Sequence, residues 1–92
     1  MLAIQIFVTI ILQARTEENM EIGDKVVLRI QQLLDERNIT LNKLAALSGL
    51  HQSTLNNIMH RINKNATIKT IDFICKGLGI SLVDFFESEV FR

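Results

Sequence analysis

Between Thr40 and Arg61 two apolar runs at helical spacing flank a single glycine, Gly49. Leu41, Leu44 and Ala45, with Leu47 beside them, form the first run; Leu55, Ile58 and Met59 form the second. Each is too short to be a stable helix alone, since isolated helices below about 12–15 residues are marginal in water. They must therefore bury their apolar faces on each other and on neighbouring segments. Thr40 has the chemistry of a helix N-cap. Ser48-Gly49 has the chemistry of a stop, because glycine enters the left-handed region without a Cβ penalty. The predicted unit is two short helices, the second over His51–His60, crossing near the small Ala45 with Leu44, Leu50, Leu55 and Ile58 wedged between them.

The flanks continue the helical period. Val27, Ile30 and Leu34 share a face, with Val26 and Leu33 beside it and Arg29, Gln32 and Glu36 pointing outward. Asp24 is the expected cap of this helix and Asn38 its end. Ile68, Ile71, Ile74, Cys75 and Leu78 repeat at three and four behind Thr67, and Gly79 stops them. Ser81 with Asp84 three residues on is a short form of the capping box, before Leu82, Phe85 and Phe86 as inward positions. Val90-Phe91 reads as a frayed tail. The expected fold is all-α, five short helices over residues 20–92, joined by loops of bundle-like length with Arg61–Thr67 the polar one.

Residues 1–19 break the pattern. Leu2, Ile4, Ile6, Val8, Ile10 and Leu12 alternate with their neighbours, as on a strand, while Ile4, Phe7, Val8 and Ile11 also fit a helix. The run is shorter than the roughly 20 residues a bilayer requires. It has no basic residue before it and no small-residue cleavage site. Three readings stay open: a strand pairing with a second chain, an arm covering part of the core, or translation beginning at Met20. Gln13–Glu21 is polar and acidic, as a connector is.

Charge is unevenly placed. The net charge is zero, yet residues 37–71 hold five basic side chains (Arg37, Lys43, Arg61, Lys64, Lys69) and no acidic one. The first 36 residues carry three basic and six acidic groups, and the last 21 carry two and four. A positive middle between acidic flanks can orient a protein on a polyanion, although an ordinary solvated face gives the same counts. The single cysteine excludes an intrachain disulfide and fits the reducing cytoplasm. Cys75 belongs to an apolar row and reads as core. His51 and His60 lie nine residues apart, on opposite sides of a helix, so no metal site forms. There is no phosphate-binding glycine loop, nucleophile elbow or HExxH. The expectation is a non-enzyme without a cofactor.

Two helices about a glycine turn form a helix-turn-helix layout. The stretch LNKLAALSGLHQSTLNNIMHRINKNATIKTIDFICKGLGISLVDFFE carries the detail: Leu44-Ala45, Ser48-Gly49-Leu50, Gln52-Ser53-Thr54-Leu55, Ile58, Thr67-Ile68-Lys69-Thr70-Ile71, and Gly77-Leu78-Gly79-Ile80-Ser81-Leu82 before Phe85-Phe86. It resembles the Cro- and lambda-repressor-like (XRE-type) helix-turn-helix family over about Lys25–Glu87. It departs from that pattern at Leu41, where a glutamine often touches phosphate, and at His51, Arg61, Ala66 and the N-terminal extension. The resemblance implies a compact five-helix domain that binds double-stranded DNA and regulates transcription.

In this geometry the first turns of the third helix enter the major groove. Gln52, Ser53, Asn56 and Asn57 share the side away from Leu55 and Ile58 and are the expected base contacts. Glutamine and asparagine amides pair bidentately with adenine. The expected phosphate contacts are Thr40 at a helix N-terminus, Lys43 one turn later, Thr54 beside the reading row, and Arg61, Asn63 and Lys64 in the following loop. The expected mode is a homodimeric repressor on a pseudo-palindrome, reading helices roughly 34 Å apart. The alternatives are an antitoxin that binds DNA and a toxin, and a protein-interaction module that keeps the fold without DNA.

Overall fold

The computed structural model describes residues 21–60 and 66–92. The N-terminal extension, and with it the choice between strand and helix, lies outside the described residues. Five α-helices follow in order: α1 (Ile22–Arg37), α2 (Leu41–Ser48), α3 (Gln52–Met59), α4 (Ile68–Leu78) and α5 (Leu82–Phe86), ending in a 3₁₀ turn at Glu89–Phe91. Every described element is helical, and the all-α expectation holds.

The helix ends follow local chemistry. Thr40 Oγ1 accepts from the Lys43 amide at 3.1 Å, and Thr67 Oγ1 from Thr70 at 3.1 Å. Ser81 and Asp84 close a reciprocal box, at 3.0 and 3.3 Å. Such caps satisfy amides that a helix start leaves without a partner, each worth about 1 kcal/mol. Gly49 ends α2 at φ 69°, and Asn38 ends α1 at φ 53°. Asn38 alone among the described non-glycine residues has positive φ.

One start is corrected. Asp24 is not the cap of α1: the helix begins at Ile22, with Glu21 in the cap position and its carbonyl accepting from Asp24 and Lys25 at 3.0 and 3.2 Å. Asp24 sits inside the first turn, where its negative charge complements the positive end of the helix dipole.

The core is one cluster drawn from every helix, with Ile30, Leu44, Leu55, Ile74 and Phe85 fully buried at its centre. Cys75 belongs to it, 1% exposed. Burial pushes its thiol above the usual range, and the Asp72 carboxylate adds to the effect. α2 and α4 cross at close range. A Cβ built at Gly77 would lie 2.6 Å from Ser48 Oγ and 2.9 Å from the Leu47 carbonyl carbon and oxygen.

Several inward or outward expectations change. Leu47, Ile68 and Leu82 lie on apolar rows yet are exposed, Ile68 and Leu82 as the first residues of their helices. Arg29, expected to point out, is buried. Its Nε donates to the Phe85 carbonyl at 2.6 Å, Nη2 to the Asp84 carbonyl at 2.8 Å and Nη1 to Gln32 Oε1 at 2.9 Å. The last carbonyls of a five-residue helix have few partners of their own, and a guanidinium fork supplies donors in fixed geometry. The tail is not frayed. Val90 is 1% exposed, Ser88 Oγ donates to Gln32 Oε1 at 3.0 Å, and the Phe91 ring lies 5.0 Å from that of Phe86.

Candidate nucleic-acid interface

Gly49 sets the interface by turning the chain between α2 and α3. Its amide and that of Leu50 bond back to Ala46 and Ala45 carbonyls, closing α2 before the chain leaves for α3. Leu55 and Ile58 then anchor α3 in the core at 0% and 5% exposure. With those two fixed, the helix has no rotational freedom about its own axis.

The rest of α3 follows from about 100° per residue. Gln52 and Asn56 project side by side, Ser53 and Asn57 beside them, and the four together span the face opposite Leu55 and Ile58. Gln52 and Ser53 are exposed, while Asn56 and Asn57 are half-buried. Among the described residues none of the four is held by a side-chain hydrogen bond. Thr54 lies at the edge of this row, half-buried. The Asn56 carbonyl, not its amide, takes the contacts from His60, 2.9 Å from both the backbone amide and Nδ1. The asparagine side chain keeps its donor and acceptor for another molecule.

Thr40 stands at the start of α2 with its oxygen accepting from Lys43. A hydroxyl used this way still has its own proton to donate, which suits a phosphate oxygen. Lys43 is exposed one turn on. His51 occupies the cap position of α3 without a side-chain cap bond. Arg61, Asn63 and Lys64 lie outside the described residues. Among the described residues no acidic side chain occurs between Arg37 and Ile71, so this face carries no fixed negative charge from those segments to repel a polyanion.

A family model for the Cro/C1-type HTH DNA-binding domain matches residues 29–89. The chain belongs to this family. The match covers most of α1 and every later helix, and it leaves the N-terminal extension outside. Searches of curated proteins and of solved structures gave no match. As a Cro/C1-type domain the chain is a DNA-binding regulator.

Two packing roles escaped the sequence reading, which quoted Gly77 only as part of the motif and set Arg29 facing outward. Gly77 lets α4 approach the backbone of α2, and Arg29 ties α1 to the end of α5. A glycine inside a helical run is a weak signal of close approach; the Arg29 contact had no local signal. Among the described residues no three His, Cys, Asp or Glu side chains group as a metal cage, and no helix is long and apolar enough to cross a membrane.

Proposed function

We propose that this chain is a sequence-specific transcriptional repressor that binds its operator as a homodimer. The observation that carries the reading is the row Gln52, Ser53, Asn56 and Asn57 on the solvent side of α3, with no competing side-chain hydrogen bonds among the described residues. Amides in that row read the N6 and N7 positions of adenine, and the row has no arginine to grip guanine. The operator half-site is accordingly rich in A·T pairs. Thr40, Lys43 and Thr54 hold phosphates, and the sequence adds Arg61, Asn63 and Lys64 as further phosphate contacts.

Dimerisation rests on α5. Leu82 and Val83 are exposed there, Val83 at 75%, with Phe86 beside them. A two-fold pairing would put the same patch on both subunits and cover it. Two reading helices would then meet successive major-groove faces, roughly 34 Å apart.

A mobility shift on DNA upstream of the chain's own gene, at two salt concentrations, tests the reading. Specific binding that exceeds binding to random DNA of equal length and weakens with salt is expected. Equal affinity for both DNAs would remove sequence-specific repression.

A further inference from the structure

The reading face of α3 does not stop at Asn57. His60 closes the helix, and its backbone amide donates to the Asn56 carbonyl at 2.9 Å, so the residue still keeps helical register. At about 100° per residue it falls between Asn56 and Asn57 around the axis, on the side away from Leu55 and Ile58. Its side chain is exposed.

The ring is held in one orientation. Nδ1 lies 2.9 Å from the same Asn56 carbonyl oxygen. A carbonyl oxygen only accepts, so the proton of this bond sits on Nδ1. A neutral imidazole has one N–H, which leaves Nε2 as a bare acceptor. Only the doubly protonated ring keeps its bond to Asn56 and donates from Nε2 as well.

Position along the helix decides what Nε2 meets. From Gln52 to His60 the helix rises about 12 Å, and the major groove is about 12 Å wide. With the first turn of α3 against base edges, the last residue stands at the rim of the groove, where the sugar–phosphate backbone runs. Phosphate oxygens accept hydrogen bonds and carry negative charge.

We infer that His60 is a further DNA-contacting residue, its imidazolium donating from Nε2 to a backbone phosphate. This rests on the placement of α3 in the major groove proposed above. A neutral ring must take one proton from solvent to make the contact. Affinity therefore rises as pH falls, by at most about tenfold per pH unit for one proton.

The surroundings accommodate that charge. α3 has no charged side chain of its own, and its C-terminal end favours a cation. α2 brings Lys43. α1 borders the same groove as His60 through Val27, Leu28 and Gln31, and the charged residues on that side of α1 are Asp24, Lys25 and Asp35. Arg61 follows in the chain. Of these residue types only histidine ordinarily changes charge between about pH 5 and 8. His51, at the opposite end of α3, is the other histidine to be controlled for.

Titrations of the full chain on a random-sequence duplex between about pH 5.5 and about pH 8 test this. Affinity should be about tenfold higher at the acid end, the scale of one hydrogen bond to a charged group. The slope of log K against log salt should be steeper there by about 0.9, one additional phosphate contact. His60→Gln, and His60→Asn as a second variant, should flatten the profile at its alkaline level, whereas His51→Gln should keep the wild-type profile. A flat profile in the wild type, or one that both His60 variants retain, overturns the contact. So does a gain at low pH that leaves the salt slope unchanged. The double variant Gln52→Ala with Asn57→Ala, compared on operator and random DNA at the alkaline end, reports on α3 itself. Lost discrimination there beside an absent His60 effect overturns the phosphate contact alone. Kept discrimination overturns the placement of α3 and the contact with it.

Discussion

Gly77 of α4 and Ser48 of α2 are so close that a methyl group on the glycine would stand 2.6 Å from the serine hydroxyl oxygen. The serine could rotate, but the Leu47 carbonyl carbon and oxygen, 2.9 Å away, are backbone and cannot. Helix propensity alone would favour alanine at position 77 by about 1 kcal/mol. Overpacking a tight crossing costs about 1–3 kcal/mol, and here the obstacle is rigid. Gly77→Ala should therefore destabilise the domain by up to about 2 kcal/mol net. Ser48→Ala should be neutral or mildly stabilising, because Ser48 Oγ is buried without a hydrogen-bond partner among the described residues. Urea denaturation of both variants checks this, and a more stable Gly77→Ala would refute the close-crossing account.

Arg29 supplies the second prediction. Its guanidinium bridges two carbonyls of α5 and the side chain of Gln32, whose oxygen also accepts from Ser88. Arg29→Met keeps the apolar stem but leaves the carbonyls of Asp84 and Phe85 without these donors. A loss of about 2–4 kcal/mol is expected, because hydrogen bonds to a charged group and the desolvation of their abandoned partners both count. Arg29→Lys should recover less than half of it, since an ammonium lacks the fork. Hydrogen exchange of the Phe85 and Phe91 amides would locate the damage at the C-terminal turn. Loss spread evenly over all helices would contradict the tie proposed for α5.

Cys75 gives a pH dependence. Burial raises its thiol in the folded state above the unfolded value. The protonated thiol is favoured by the fold, so the contribution is fully present below the unfolded pKa and is lost as pH rises through the folded one. Stability should fall above about pH 8.5, where an unfolded thiol ionises. Cys75→Ala should flatten that alkaline slope while costing some packing. A thiol reagent should label the native protein at the rate at which the core opens. Rapid labelling at pH 7, or an unchanged alkaline slope in Cys75→Ala, would argue against the buried, protonated thiol.

How much of this was legible depended on distance along the chain. Thr40, Thr67, Ser81 with Asp84, Gly49 and Asn38 act on amides or carbonyls within a few residues, and the sequence displays them. The face of α3 was legible for the same reason, since Leu55 and Ile58 fix the rotation of a single helix. Arg29 was not, because its partners lie 55 and 56 residues away and a lone arginine among polar neighbours looks solvated. Val90 was misread because tails commonly fray, while this one is pinned by Phe85, Phe86 and Gln32. Ile68 and Leu82 illustrate the opposite error: periodicity names a face, but at a helix's first residue that face has no neighbour to meet.

The last prediction separates reading from holding. Gln52→Ala and Asn57→Ala each remove an amide from the row and should cost about 1–3 kcal/mol on the operator, with preference relaxed at one or two base pairs. Affinity for random DNA should hardly change, because the row makes no phosphate contact in this assignment. Lys43→Ala should do the reverse. It is exposed one turn into α2, where a cation meets backbone rather than bases. Binding to every sequence should weaken alike, and the slope of log K against log salt should become shallower by about 0.9, the share of one phosphate contact. Thr40→Val should combine this with a loss of about 1 kcal/mol in stability, since the same oxygen caps α2. Titrations of the four variants on operator and random DNA at several salt concentrations measure all of it. Should Gln52→Ala and Asn57→Ala keep full discrimination while Lys43→Ala loses it, the reading surface would have to move from α3 to the start of α2.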